Sequence, residues 1–136
     1  MILVTGATGK TGGAVAKELA AHNIPVRVLV RNADKATDLK DVGAEIAVGD
    51  MADEAAVREA LKGCDKAVLI MANGEHQLTM EKLFTDSAVA LGVKHLVKLS
   101  SMESKPGTTK PIPAMHVASE DHIRASGLKW TMIRPT

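Results

Sequence analysis

The stretch Ile2-Leu3-Val4-Thr5-Gly6-Ala7-Thr8-Gly9-Lys10-Thr11-Gly12 decides the fold. An aliphatic, strand-like run ends at Gly6, two further glycines follow at the same spacing, and residues 11–22 read as a helix. Gly6 permits a tight strand-to-helix turn, and Gly9 lets backbone approach a pyrophosphate. Gly12 lets the helix pack near the strand, so that its N-terminal amides and dipole face the phosphates. Thr8, Lys10 and Thr11 belong to the same candidate cofactor-binding loop. A glycine triplet alone is weak evidence, but a strand before it and a helix after it supply the context that a dinucleotide-binding turn requires. The competing reading is a glycine-rich turn with no ligand. Gly9-Lys10-Thr11 also resembles the end of a phosphate-binding P-loop. That motif needs a further glycine where Val4 stands inside the strand, so nucleoside triphosphate hydrolysis is disfavoured.

Working outward, strand-like runs recur at Val26–Val30, Glu45–Val48, residues 67–71, His95–Leu99 and Lys129–Ile133. Helix-like stretches at residues 34–42, 53–62, 75–91 and 114–125 alternate with them. In the stretch 75–91, Met80, Leu83, Phe84 and Leu91 fit one apolar stripe, with Glu81, Lys82 and Asp86 off it. Gly43, Gly63, Gly92 and Gly127 mark helix stops just before strands. Short connections and continuous apolar strands predict one doubly wound α/β domain over residues 1–136. It has a parallel sheet of about six strands in the order 3-2-1-4-5-6, with helices on both faces. The long irregular stretch 101–113 is expected to be a surface loop at the functional edge, beyond the carboxyl end of the fifth strand.

Composition excludes several functions. Lys plus Arg is 17 against 16 Asp plus Glu, so a net charge of +1 offers no basic field for nucleic acid or anionic lipid. Phe84 and Trp130 are the only aromatics, too few for a base-stacking platform. A single cysteine, Cys64, rules out an intramolecular disulfide and multi-thiolate zinc, and its place before the fourth strand reads as the inert end of the sheet. His22, His76, His95 and His122 show no ligand spacing, so no metal is expected. The seven methionines read as core filler. No apolar run approaches the ~18 residues of a membrane span, and the expected address is cytoplasmic.

Candidate cofactor contacts follow from position in such a sheet. Arg31 ends the second strand where an acid would bind the ribose of NAD; an arginine instead suits the 2′-phosphate of NADP and predicts NADPH preferred over NADH. Lys10 is in reach of the same phosphate. The alternative for Arg31 is a solvated charge at a strand end. Asp50, beside Met51 after the third strand, is read as a partner of the adenine amino group or as a helix cap, and Asp53 as an N-cap. Ala72-Asn73-Gly74 either follows the cofactor ribose or is an ordinary turn.

The glycine segment, Val28-Leu29-Val30-Arg31-Asn32, and the tail from Glu120 to Pro135 together resemble the NmrA-like branch of the atypical short-chain dehydrogenase/reductases. The resemblance covers the whole chain. It implies an NAD(P)-binding Rossmann domain and, in many members, reduction of quinones, dyes or related small carbonyl compounds; some relatives instead signal redox state through cofactor occupancy. Two departures stand out. The tyrosine and lysine positions on which most short-chain dehydrogenases rely hold Ile112 and His116, and the chain contains no tyrosine. Relatives also continue past the final Arg-Pro into a region that roofs the nicotinamide, whereas this sequence stops at Thr136, as a fragment, a short form or a designed core would. Apolar surface near the last strand is the expected consequence.

The remaining catalytic candidates are Ser100, with Ser101 at the end of the fifth strand, and His116. The family places a substrate-binding hydroxyl near Ser100. His116 reads either as a general acid, with a reference pKa near ~6.5, or as a surface histidine with no task. Two functions stay open. One is an NADPH-dependent oxidoreductase acting on a small quinone-like acceptor; the other is a non-catalytic dinucleotide-binding module or redox sensor.

Overall fold

The computed structural model describes residues 1–135. Six parallel strands form one sheet in the order β3-β2-β1-β4-β5-β6. They are β1 (Ile2–Thr5), β2 (Val26–Val30), β3 (Glu45–Val48), β4 (Lys66–Leu69), β5 (His95–Leu99) and β6 (Lys129–Ile133). The crossovers contain α1 (Lys10–Ala21), α2 (Thr37–Asp41), α3 (Glu54–Leu61), α4 (Gln77–Ala90) and α5 (Pro111–Ala125). This is the expected doubly wound arrangement, with the chain reversing direction across the sheet on either side of β1.

Strand alternation divides the core. Leu3 and Leu29 face Val57, Leu61, Phe84 and Ile123 on the α3, α4 and α5 side. Val4, Val28 and Val30 face Ala16 and Leu39 on the α1 and α2 side. Successive residues of one strand therefore serve opposite layers, as a pleated sheet requires.

Several boundaries differ from the sequence reading. The fourth strand ends at Leu69 rather than residue 71 because a side chain takes over its pairing. The Thr5 hydroxyl donates to the Ile70 carbonyl at 2.8 Å and accepts from the Ile70 amide at 2.9 Å. The stretch 34–42 is a 3-10 turn (Ala33–Ala36), capped by the Asn32 side chain, followed by the short α2. The loop 101–113 ends earlier than expected, since α5 begins at Pro111. Prolines at 111 and 113 fall in the first turn, where backbone amides have no helical acceptor, so they start the helix without loss.

The largest correction concerns α4. Glu81, expected off the apolar stripe, is 1% exposed, and Gln77, Thr85 and Ser87 are buried with it. The helix lies between α3 and α5 as well as on the sheet, so its buried arc is wider than one apolar stripe. Near β6, Trp130 and Ile133 are exposed, and the Arg124 guanidinium sits 5.1 Å from the centre of the Trp130 ring. Cys64 is buried, and desolvation pushes its thiol above the ordinary range.

Candidate functional site

The turn between β1 and α1 is built by exclusion of side chains. Gly6 has φ +64, and a Cβ on it would lie 2.5 Å from the Ile70 carbonyl oxygen. A Cβ on Gly12 would lie 2.2 Å from the Gly6 carbonyl oxygen. The backbone thus folds against β4 and brings the first turn of α1 to the carboxyl edge of the sheet. Gly9 is the N-cap, no side chain caps the helix, and no acidic residue lies in its first turn. The Gly13 amide bonds the Gly9 carbonyl, leaving the amides of Lys10, Thr11 and Gly12 without a helical acceptor. Thr8, Gly9, Lys10 and Thr11 are exposed around them. Such a cradle fits a pyrophosphate, which would receive those amide bonds and the positive end of the helix dipole.

Arg31 is exposed one residue beyond β2, and its guanidinium makes no ion pair among the described residues. Asp50 accepts a bond from the Ala52 amide at 2.8 Å in the turn before α3 and caps no helix, since the N-cap of α3 is Asp53; it remains exposed. Met51 packs against the core. Asp53 caps α3 as expected, accepting from the Ala55 amide at 3.0 Å. Ala72, Asn73 and Gly74 are exposed beyond β4.

A second group lies at the ends of β4, β5 and β6. A cavity of about 250 Å³ is lined by Met71, Asn73, Ser100, Ser101, Met102 and His116, among others. His116 is 4% exposed, so the surface reading is overturned: its ring turns toward the ends of β4 and β5, where Asn73 and Lys98 meet it. Its Nε2 lies 3.0 Å from Asn73 Oδ1, and its Nδ1 lies 3.0 Å from Lys98 Nζ. Lys98 is fully buried and pairs with Glu81 Oε1 at 2.6 Å. Ser119 also donates to Glu81 Oε1, and the Gln77 amide donates to Oε2.

Burial, followed by the Lys98 ammonium, holds His116 below the usual imidazole range, against the opposing pull of Glu81 and Glu120. At neutral pH the ring is therefore uncharged, and a freely available imidazolium acid is not what this environment stabilises. Ser100, also on the cavity wall, directs its hydroxyl to Glu120, which takes further bonds from Arg124 and Arg134. Burial raises the Glu120 carboxyl, but the bonds from Arg134, Ser100 and Arg124 outweigh it and leave a net lowering.

Sequence reasoning missed Lys98 and Glu81. The signal was present in β5, where period two places Lys98 on the same face as the core residue Leu96. In α4, Gln77, Glu81 and Thr85 recur at intervals of four residues and form a polar row that only a polar neighbour could cover.

Fold and site together define an α/β protein of the dinucleotide-binding kind, with unpaired amides at the β1–α1 turn and a polar cavity further along the same edge. The chain belongs to the NAD(P)H-binding family, whose model matches residues 6–136, and NmrA-like oxidoreductases are among its relatives. It is 40% identical over 136 residues to a (4-alkanoyl-5-oxo-2,5-dihydrofuran-3-yl)methyl phosphate reductase from Streptomyces griseus, covering 99% of this chain and 47% of that protein. An NAD(P)H azoreductase from Xenophilus azovorans is 31% identical, with the same two coverages. The structure of an NADPH-dependent quinone oxidoreductase from Escherichia coli, complexed with NADPH, superposes with a TM-score of 0.88 at 29% identity. That match covers 98% of this chain and 48% of the other. The chain thus spans about half the length of the relatives it matches. Among the described residues no helix is long and apolar enough to cross a membrane.

Proposed function

We propose that this chain forms the NADPH-binding part of a reductase acting on a quinone or related conjugated carbonyl acceptor. The observation that carries the reading is the placement of an uncapped, side-chain-free phosphate cradle on the same sheet edge as the His116 cavity. The reductases among its relatives support the reaction class. Arg31, exposed and unpaired beside the cradle, supports NADPH over NADH, because a planar guanidinium can bond two oxygens of a 2′-phosphate. Lys10 is a second cation for that phosphate.

The bound cofactor would supply hydride. The protein's own part is to hold the pyrophosphate on the amides of Lys10, Thr11 and Gly12 and to present a donor to the acceptor oxygen. His116 serves as that donor through a neutral N–H, which strengthens as negative charge develops on the oxygen. With no tyrosine in the chain, this N–H stabilises the negative charge, and the proton that the reduced oxygen then takes comes from solvent water.

Calorimetric titration with NADPH and NADH tests the cofactor assignment. Micromolar NADPH binding with much weaker NADH binding is expected, and equal affinities would remove the role of Arg31. Oxidation of NADPH with a quinone, absent in a Gly9→Asp control, tests turnover. NADPH binding without turnover would favour a binding module over a reductase.

A further inference from the structure

We propose that Lys98, anchored by Glu81, is a positioning residue that fixes His116 as the Nε2–H tautomer and so makes the cavity wall a hydrogen-bond donor. The inference rests on the reductase reading for its purpose but on separate geometry for its evidence. An ammonium group has hydrogens to give and no lone pair to offer. At 3.0 Å from Lys98 Nζ, His116 Nδ1 must therefore be the acceptor and carry no proton. The single proton of the neutral ring then sits on Nε2, where it meets Asn73 Oδ1 at 3.0 Å. Asn73 and His116 both line the cavity, so an acceptor oxygen there could exchange with the Asn73 carbonyl for the same proton.

The lysine is held for this task. Glu81 Oε1 accepts from it at 2.6 Å, while Ser119 and Gln77 each donate a further bond to the carboxylate. A third, longer contact runs from Lys98 Nζ to the Leu99 carbonyl at 3.4 Å. Glu81 comes from α4, Lys98 from β5 and His116 from α5, so three elements set one ring nitrogen. The groups that bear on the titration of His116 are Lys98 from the sheet, Glu81 from α4 and Glu120 on its own helix. Of these charged groups only the ammonium adds to burial in opposing protonation, and at Nδ1 it would face the new N–H directly.

The test is long-range ¹H–¹⁵N NMR of the His116 ring in the full chain, with a pH titration. In the unmodified protein the proton is expected on Nε2 alone, with one uncharged form across neutral pH. A proton on Nδ1 overturns the proposal with no variant required. In Lys98→Met the ring is expected to populate both tautomers and to protonate at higher pH, because the ammonium no longer adds to burial against Glu81 and Glu120. A folded Lys98→Met with the original tautomer and titration also overturns it. Should that variant fail to fold, Lys98→Met/Glu81→Gln removes both charges while keeping an acceptor for Ser119. It is expected to show mixed tautomers, and an unchanged Nε2–H form would again refute the assignment. NADPH titration of the same samples separates the two ideas: lost cofactor binding with an intact tautomer pattern would fault the reductase reading alone.

Discussion

The β1–α1 turn and the cluster behind β5 lie on the same edge of one sheet and treat their polar groups in opposite ways. At the turn, the amides of Lys10, Thr11 and Gly12 have no acceptor among the described residues. In the cluster, Lys98, Glu81, Ser119 and His116 are buried and bonded to one another. Open hydrogen-bonding capacity at a surface marks where a ligand can gain affinity. Closed capacity in the interior marks where geometry is fixed before any ligand arrives. α3 sharpens the contrast: it starts at the same edge as α1, but Asp53 caps it and Glu54 fills its first turn with negative charge. An anion has no place there.

The comparison can be broken first in the interior. Lys98→Ala leaves Glu81 buried without its cation and is expected to lower stability by roughly 3–5 kcal/mol in urea unfolding. Lys98→Met/Glu81→Gln should recover most of that loss. A double variant as unstable as the single would mean that packing, not charge pairing, dominates. Next comes the turn. Gly12→Ala forces a Cβ onto the Gly6 carbonyl, so a loss of about 1–3 kcal/mol is expected together with loss of NADPH binding by calorimetry.

Arg31→Asp should separate binding from folding. NADPH affinity is expected to fall tenfold or more, about 1.4 kcal/mol, with the urea midpoint unmoved and NADH affinity little changed. Asp53→Ala should do the reverse, costing about 1 kcal/mol of stability while leaving the NADPH dissociation constant alone. If Asp53→Ala weakens NADPH binding instead, the division between the two helix starts fails.

The smallest effect is a pH dependence. Glu120 is lowered from its ordinary value of 4.5, so the unfolded chain takes up its proton first as pH falls. Its contribution is complete above 4.5 and is lost as pH drops through the lower folded value. Glu120→Gln should flatten the acid limb of a stability profile in that window, and an unchanged limb would count against the Arg134 and Arg124 clamp.

The same contrast explains what could be read from the sequence. The cradle is contiguous: Gly6, Gly9 and Gly12 occupy one turn between recognisable elements, so their spacing carries the geometry. The strand order followed from alternation and short connections. The cluster is distributed over residues 73, 81, 98 and 116, and no local period links them. Glu81 looked like a solvated residue because a single apolar stripe was assumed for a helix that packs on three sides. His116, already inside the expected helix, looked like a surface residue because its partners Asn73 and Lys98 lie far away in the sequence.

Thr5 gives the domain an internal reporter. Its hydroxyl holds both the amide and the carbonyl of Ile70 at the point where β1 and β4 part company, directly below Gly6. The Ile70 amide has no strand partner to shield it; its protection from solvent deuterium depends on one buried side chain. Its exchange rate therefore times the parting of β1 and β4 beneath the glycine turn, at a residue 8% exposed.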